Sequence, residues 1–402
     1  MSDAETVIRL AARGDGVTSG GRYVGGVAPG DRVWFDGDAV RIEPGPHHQV
    51  PPCRHFPECG GCQVQQVDDA AYADWAAERI VHALRAQGVE PAAVEPVHLS
   101  PPNSRRRASL KAARRGRNVA LGFNAEGSHL IVDMHECHIL RPELFALVAP
   151  LRELLAEALT DGQGGGVTMT LTEAGIDLLL SNVQAGSVAN IERLTRFAGQ
   201  HRLARLSVET AAGVDVIAEP NPPFVRFDGV PVTLPPGSFL QATLDGEVAL
   251  QAAVLSATAG ARSCADLFCG AGTFALPLSA GARVHAVDAA GPAVRALEAA
   301  AKVSGRRITV EHRDLFRRPL RADELKRFDA VAIDPPRAGA REQVAELVKA
   351  KVPVVAAVSC NPNTFARDAA MLVAGGYRLE RLWPVGQFRW STHVELAARF
   401  VR

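Results

Sequence analysis

The chain has 402 residues, 47% of them apolar, and its 44 basic residues equal its 44 acidic ones. That length exceeds one ordinary core and implies two or three domains, and the apolar content excludes a chain that stays disordered. Zero net charge gives no general attraction to polyanions, and no stretch approaches the roughly 18 uninterrupted apolar residues of a membrane span.

Met1 to Glu5 lacks the basic and apolar pattern of a secretory signal, so a cytoplasmic protein without a membrane partner is expected. Residues 6–42 carry short alternating segments cut by glycines. They read as a small β-barrel that binds nucleic acid on one face, and a β-module without a ligand fits the same pattern. A proline-rich break at 44–52 precedes Cys53, Cys59 and Cys62, the last two separated by Gly60-Gly61, and Cys137 lies far downstream. Seven cysteines in a reducing compartment argue for metal or catalytic roles over disulfides. The uneven spacing fits an iron–sulfur cluster better than zinc, for which His55 and His138 would be the added donors.

Asp68 to Gln87 predicts an amphipathic helix, capped at Asp68 or Asp69 and stopped at Gly88. Residues 95–235 read as mostly β. Within them Arg105-Arg106-Arg107, Lys111, Arg114-Arg115 and Arg117 form a dense basic run, either a solvated face or a phosphate contact. Gln163-Gly164-Gly165-Gly166 reads as a loop. From Pro235 strands and helices alternate, which predicts a doubly wound, mostly parallel sheet. Strands are expected at 263–268, 283–287, 307 onward, 330–333, 352–359, 377–384 and 394–401, with helices over 245–258 and 292–304.

Each candidate functional residue falls at a strand end, where open α/β sheets bind ligands. Gly270 and Gly272 let the backbone approach a cofactor, and Asp288 can accept hydrogen bonds from a ribose. A nicotinamide dehydrogenase uses a similar loop. Ala275 in place of a third glycine, Asp266 before the turn and the rigid Asp334-Pro335-Pro336-Arg337 favour methyl transfer from S-adenosylmethionine. Cys360, between an apolar β-branched strand and a helix start, reads as a nucleophile biased toward thiolate by the helix end. A small apolar residue closing a strand is the alternative. Cys264 and Cys269 read as core.

These motifs resemble the bacterial RNA (uracil-5-)-methyltransferase family nearly end to end. The resemblance rests on Cys53-x5-Cys59-Gly-Gly-Cys62 with Cys137, Phe239-Leu240-Gln241, the 266–272 and 334–337 loops, Ser359-Cys360-Asn361-Pro362 and His393-Val394-Glu395. It implies a TRAM-like RNA-binding barrel over 1–46, a central domain over 47–234 and a Rossmann-like methyltransferase domain over 235–402. It also implies that helix 68–87 packs on the catalytic domain. Cys360 would be the nucleophile, Glu395 the general base, and a 4Fe–4S cluster would sit on Cys53, Cys59, Cys62 and Cys137. S-adenosylmethionine would lie against Gln241, Phe268, Gly270, Gly272, Thr273, Asp288, Asp314 and Asp334. The expected product is 5-methyluridine, in 23S rRNA ahead of tRNA, made by a monomer. The family pattern is broken at Thr243, Thr273, Asp288 and the Phe388-Arg389-Trp390-Ser391 loop.

Overall fold

The structure, a computed structural model, describes residues 4–37 and 39–402. Strands Glu5–Leu10, Gly16–Thr18, Tyr23–Val24, Arg32–Asp36 and Ala39–Glu43 form one antiparallel sheet. Its edge strands do not pair with each other among the described residues, so the expected barrel is an open half-barrel. Val7, Val24, Val27 and Val33 form its core, too few to hold it unaided. It is fastened from outside. The Trp75 indole donates to the Ala11 carbonyl at 3.1 Å, and buried Asp31 accepts the Gly45 amide at 2.7 Å and pairs with His48 at 2.7 Å.

Trp75 belongs to helix Asp69–Arg85, whose N-cap Asp68 accepts the Ala71 amide at 2.8 Å. Gly88, at φ +71°, follows its end. Tyr72, Trp75, Ala76, Ile80, Ala83 and Leu84 recur at helical spacing and are buried. Ile80 and Leu84 join the core of the carboxyl-terminal sheet, each contributing roughly 1.5–3 kcal/mol by leaving water.

The central region is rich in strands, as expected, but it also holds helices that the sequence reading did not anticipate. Its six-stranded sheet runs Gly213–Ala218, Arg205–Thr210, Gly175–Ser181, Gly164–Thr172, Arg107–Arg115, Asn118–Gly122, and helices Val148–Ala158 and Val188–Gln200 share its core. Leu151, Leu154, Leu155 and Ala158 are buried at 3–4 spacing, a helical period set among turn residues. The Gly164–Gly166 run is strand, not loop, paired to Lys111–Ala113 on one side. Glycine is needed there for close approach: a Cβ on Gly165 would sit 2.9 Å from Leu159 Cδ2.

The carboxyl-terminal sheet has eight strands: β1 (His98–Leu99), β2 (Ser263–Leu267), β3 (Arg283–Asp288), β4 (Ile308–His312), β5 (Ala330–Ile333), β6 (Val354–Ser359), β7 (Arg378–Gly386) and β8 (Glu395–Val401). Their spatial order is β4-β3-β2-β5-β6-β8-β7-β1. β2 to β6 are parallel, and β8 runs antiparallel to both β6 and β7. The sheet is sandwiched between helices, which is why β5 and β6 read as continuous apolar runs. Helices Leu244–Ala257 and Gly291–Ser304 share one core with it, and Arg341–Ala350 and Pro362–Ala374 share the other. The expected doubly wound half is therefore present. Among the described residues no helix is long and apolar enough to cross a membrane.

Candidate active site

The carboxyl end of the parallel strands gathers the reactive groups. Asp334 follows β5 and Cys360 follows β6. Glu395 opens β8, and because β8 is antiparallel its start lies at the same end. Ser359 pairs with Leu396, so the next step of the ladder sets Cys360 opposite Glu395. Glu395 is 4% exposed. Burial, and then Asp334, push its carboxyl up to about 8, against a hydrogen bond from Gln387 that lowers it. Asp334 is pushed by burial to about 7.

The thiol of Cys360 is raised, not lowered. Burial, Glu395 and Asp334 carry it to about 11, and Arg337 opposes them. The expected helix-end bias loses because desolvation and two carboxylates act on the thiol together. Cys360 also stands one position outside the N-cap, which is Asn361.

Neighbouring loops brace each other. Asn361 Nδ2 and Thr364 Oγ1 both donate to the Arg337 carbonyl, at 3.1 and 3.0 Å. Arg337 Nη2 lies 3.2 Å from His393 Nδ1. This fixes the 334–337 turn between the cysteine loop and the His393-Val394-Glu395 segment.

The cofactor-side loop follows β2. Phe268, Gly270 and Gly272 all have positive φ, of 64°, 54° and 103°. A Cβ on Gly272 would meet Leu297, whereas the Cβ direction of Gly270 is open space. Asp288, at the end of β3, accepts the Gly270 amide at 2.9 Å and the Ala290 amide at 2.6 Å, so its carboxylate also shapes the turn. Asp314 accepts the Phe316 amide at 3.0 Å and sets that ring 5.3 Å from Phe268. The Thr273 carbonyl accepts from Gln251 at 3.0 Å. Beneath the loop, neither carboxylate oxygen of buried Asp266 has a hydrogen bond of good geometry, and burial and Asp334 hold its pKa well above the usual carboxylate range, against the nearby Ala275 amide, which lowers it.

Cys360 opens into a cleft of about 800 Å³. Its walls come from the half-barrel (Arg9, Tyr23), helix 69–85 (Arg79, His82) and the sheet mouth (Arg337, His393). Away from it, Cys53, Cys59, Cys62 and Cys137 line one small pocket with Phe123 and Arg105. Burial raises all four thiols, Cys62 to about 12. Among the described residues, no three His, Cys, Asp or Glu side chains are grouped to hold a single metal ion.

The tRNA (Uracil-5-)-methyltransferase family model matches residues 237–401. An uncharacterized RNA methyltransferase of Zymomonas mobilis is 44% identical over 98% of this chain and 99% of its own length. The 23S rRNA (uracil(1939)-C(5))-methyltransferase RlmD of Aeromonas salmonicida is 30% identical over 89% of this chain and 84% of its own. The chain belongs to the RNA (uracil-5-)-methyltransferase family. In fold it is similar to the tRNA (uracil-54, C5)-methyltransferase of Pyrococcus abyssi, solved with S-adenosyl-L-homocysteine. The TM-score is 0.75 at 22% identity, covering 99% of this chain and 100% of that one.

Within the family frame, the basic run has a structural use. Arg106 is buried and pairs with buried Glu247 at 2.5 Å, tying the central sheet to helix 244–257. Arg105 lies over the rings of Phe123 and Phe388, and Arg114 donates to the Gly116 and Leu159 carbonyls. Those three are therefore not a free phosphate-binding face. The altered loop is likewise internal: Arg389 pairs with Asp69, and Trp390, at φ +57°, packs with Cys62, Tyr72 and Trp75.

Sequence reasoning missed Gln387. It is 1% exposed, and its amide donates to Gln241 Oε1 at 2.6 Å while bonding Glu395. No motif marks it, since Gln387 falls in the stretch 385–393 that reads as a loop between two strands. Tyr72 is core, and its hydroxyl also donates to the Phe388 and Ser391 carbonyls at 3.1 and 3.0 Å.

Proposed function

We propose that this chain methylates C5 of a uridine in RNA with S-adenosylmethionine, using Cys360 as nucleophile and Glu395 as general base. The observation that carries this reading is the placement of Cys360 opposite Glu395 on adjacent strand ends, with Asp334 beside them. A uracil C5 is too weak a nucleophile to act unaided. In its thiolate form the Cys360 sulfur bonds to C6 and moves an electron pair toward the ring carbonyl, which leaves C5 nucleophilic toward the methyl donor. Once C5 carries the methyl group, Glu395 removes the C5 proton, the C5–C6 double bond re-forms and the thiolate leaves.

S-adenosylmethionine, when bound, supplies a methyl group activated by a positively charged sulfur. The residues fit such a ligand: neither Asp266 oxygen has a hydrogen bond of good geometry, and Gly270 leaves open space on the Cβ side. Gln241, Phe268, Gly270, Gly272, Thr273, Asp288, Asp314 and Asp334 would hold it. A 4Fe–4S cluster held by Cys53, Cys59, Cys62 and Cys137 belongs to the same proposal, since the four thiols line one pocket.

The cleft between half-barrel, helix 69–85 and Cys360 suits a strand with one base unstacked, gripped by Arg9, Arg79 and Arg337 and stacked on Tyr23. The ribosomal relative favours 23S rRNA. A tRNA uridine is the second reading, because the tRNA enzyme from Pyrococcus abyssi matches 99% of this chain, half-barrel included. The barrel therefore does not separate the two substrates.

The test is incubation with 5-fluorouridine-substituted 23S rRNA and tRNA transcripts. That base has no removable C5 proton, so a denaturant-stable protein–RNA adduct is expected with one of them. Adduct with neither would overturn the mechanism. Mapping 5-methyluridine in a deletion strain then assigns the RNA.

A further inference from the structure

The turn that carries Cys59 and Cys62 and the segment that delivers Glu395 are joined by one side chain. Gln63 donates its amide to the Gly60 carbonyl at 2.9 Å, inside the cysteine turn. Its side-chain oxygen accepts the Thr392 amide at 3.2 Å, three residues before Glu395. Its backbone amide, together with that of Val64, donates to the Trp390 carbonyl at 2.7 and 3.0 Å. Trp390 holds a left-handed φ that a bulky residue rarely adopts, so the 388–393 turn needs external restraint. Few of its own backbone bonds supply it: Ser391 donates to the Phe388 carbonyl and His393 to the Ser391 hydroxyl.

We propose that Gln63 is a positioning residue that fixes the 388–395 segment, and with it Glu395, to the cysteine turn. The inference rests on Glu395 being the base. Gln63 touches neither uracil nor cofactor; it acts through Thr392. The coupling runs both ways, because anything that shapes the Cys59–Cys62 turn moves the Gly60 carbonyl and so the Gln63 side chain.

Gln63→Ala removes both side-chain bonds. Gln63→Glu keeps an oxygen for the Thr392 amide and loses the donor to Gly60. Hydrogen–deuterium exchange of the full-length protein reads the segment directly. Exchange in the 388–395 peptide should quicken by about tenfold in Gln63→Ala, the size expected for one lost hydrogen bond, and stay near wild type in Gln63→Glu. Peptides of helix 362–374 should be unchanged in both. On a uridine-containing 23S rRNA transcript, Gln63→Ala should form the covalent adduct at the wild-type rate but resolve it about tenfold more slowly. Unchanged exchange over 388–395 in Gln63→Ala would overturn the proposal, as would equal slowing of adduct formation and resolution. If Gln63→Ala does not fold, rapid 388–395 exchange in Gln63→Glu would overturn it instead. Should exchange respond as expected while even the wild-type protein forms no adduct, the reaction mechanism fails and the Gln63 tie stands.

Discussion

Gln387 donates its side-chain amide to Gln241 Oε1 at 2.6 Å, and through the same group bonds Glu395. One buried amide thus joins a cofactor-side residue to the group read as the base. The hydrogen bond to Glu395 also lowers that carboxyl, against burial and Asp334, which raise it. Replacing Gln387 with leucine should raise that carboxyl further above about 8. At neutral pH less Glu395 is then ionised, so adduct resolution should slow by about tenfold and recover at higher pH. A pH–rate profile of single-turnover resolution checks this, and an unshifted profile would exclude it.

Cys360→Ala should abolish methylation and the 5-fluorouridine adduct while leaving S-adenosylmethionine binding within about threefold, measured by calorimetry. Glu395→Gln should still form the adduct and accumulate it on ordinary uridine RNA. Near-normal release in that variant would mean another group takes the C5 proton.

Asp334 and Glu395 are both raised in the folded protein, to about 7 and about 8. Folding favours their protonated forms, so the stability they lend is full below about pH 4 and lost as pH climbs through 7 and 8. Asp334→Asn removes one ionisation and relieves its neighbours. Its melting temperature should exceed wild type by a few degrees at pH 8.5, with the gap narrowing at pH 5. A gap independent of pH would rule out the charge as its cause.

The Arg106–Glu247 pair is buried on both sides, and burial raises the Glu247 carboxyl despite the arginine. Arg106→Ala strands that carboxylate and should cost about 3–5 kcal/mol in urea unfolding. The double change Arg106→Met with Glu247→Leu should recover most of the loss. If single and double variants unfold alike, the pair does not behave as a coupled unit.

Protein purified without oxygen should be brown and carry about four irons per chain. Stoichiometric zinc in place of iron would overturn the cluster.

The carboxyl-terminal half was legible because Asp334 and Cys360 each follow the end of a strand, and buried parallel strands announce themselves as β-branched apolar runs. Those two could be placed from that pattern, whereas Glu395, which opens β8, was expected from the family resemblance. The central region was harder: Leu151 and Leu155 sit on a helix whose period is masked by surrounding glycines and turns, and Gly164–Gly166 looked like a loop because close packing leaves the same mark as flexibility. The charge run misled for a related reason. Sequence records that Arg105 and Arg106 are cations, not that rings and a carboxylate from elsewhere fold over them. Gln63 and Gln387 are ordinary glutamines until the fold brings distant partners to them.

Strand β1 is two residues long, yet it closes the far side of the large sheet, His98 pairing with Val385 and Leu99 with Gly386. A fragment begun at Pro235 would lose that cover, and with it Tyr72, Arg79 and Gln63, which grip the turn before Glu395. It would present unpaired backbone at β7, an invitation to self-association. The half that bears the chemistry is therefore not a portable unit, and transplanting it onto another RNA-binding module would require carrying residues 63–99 along.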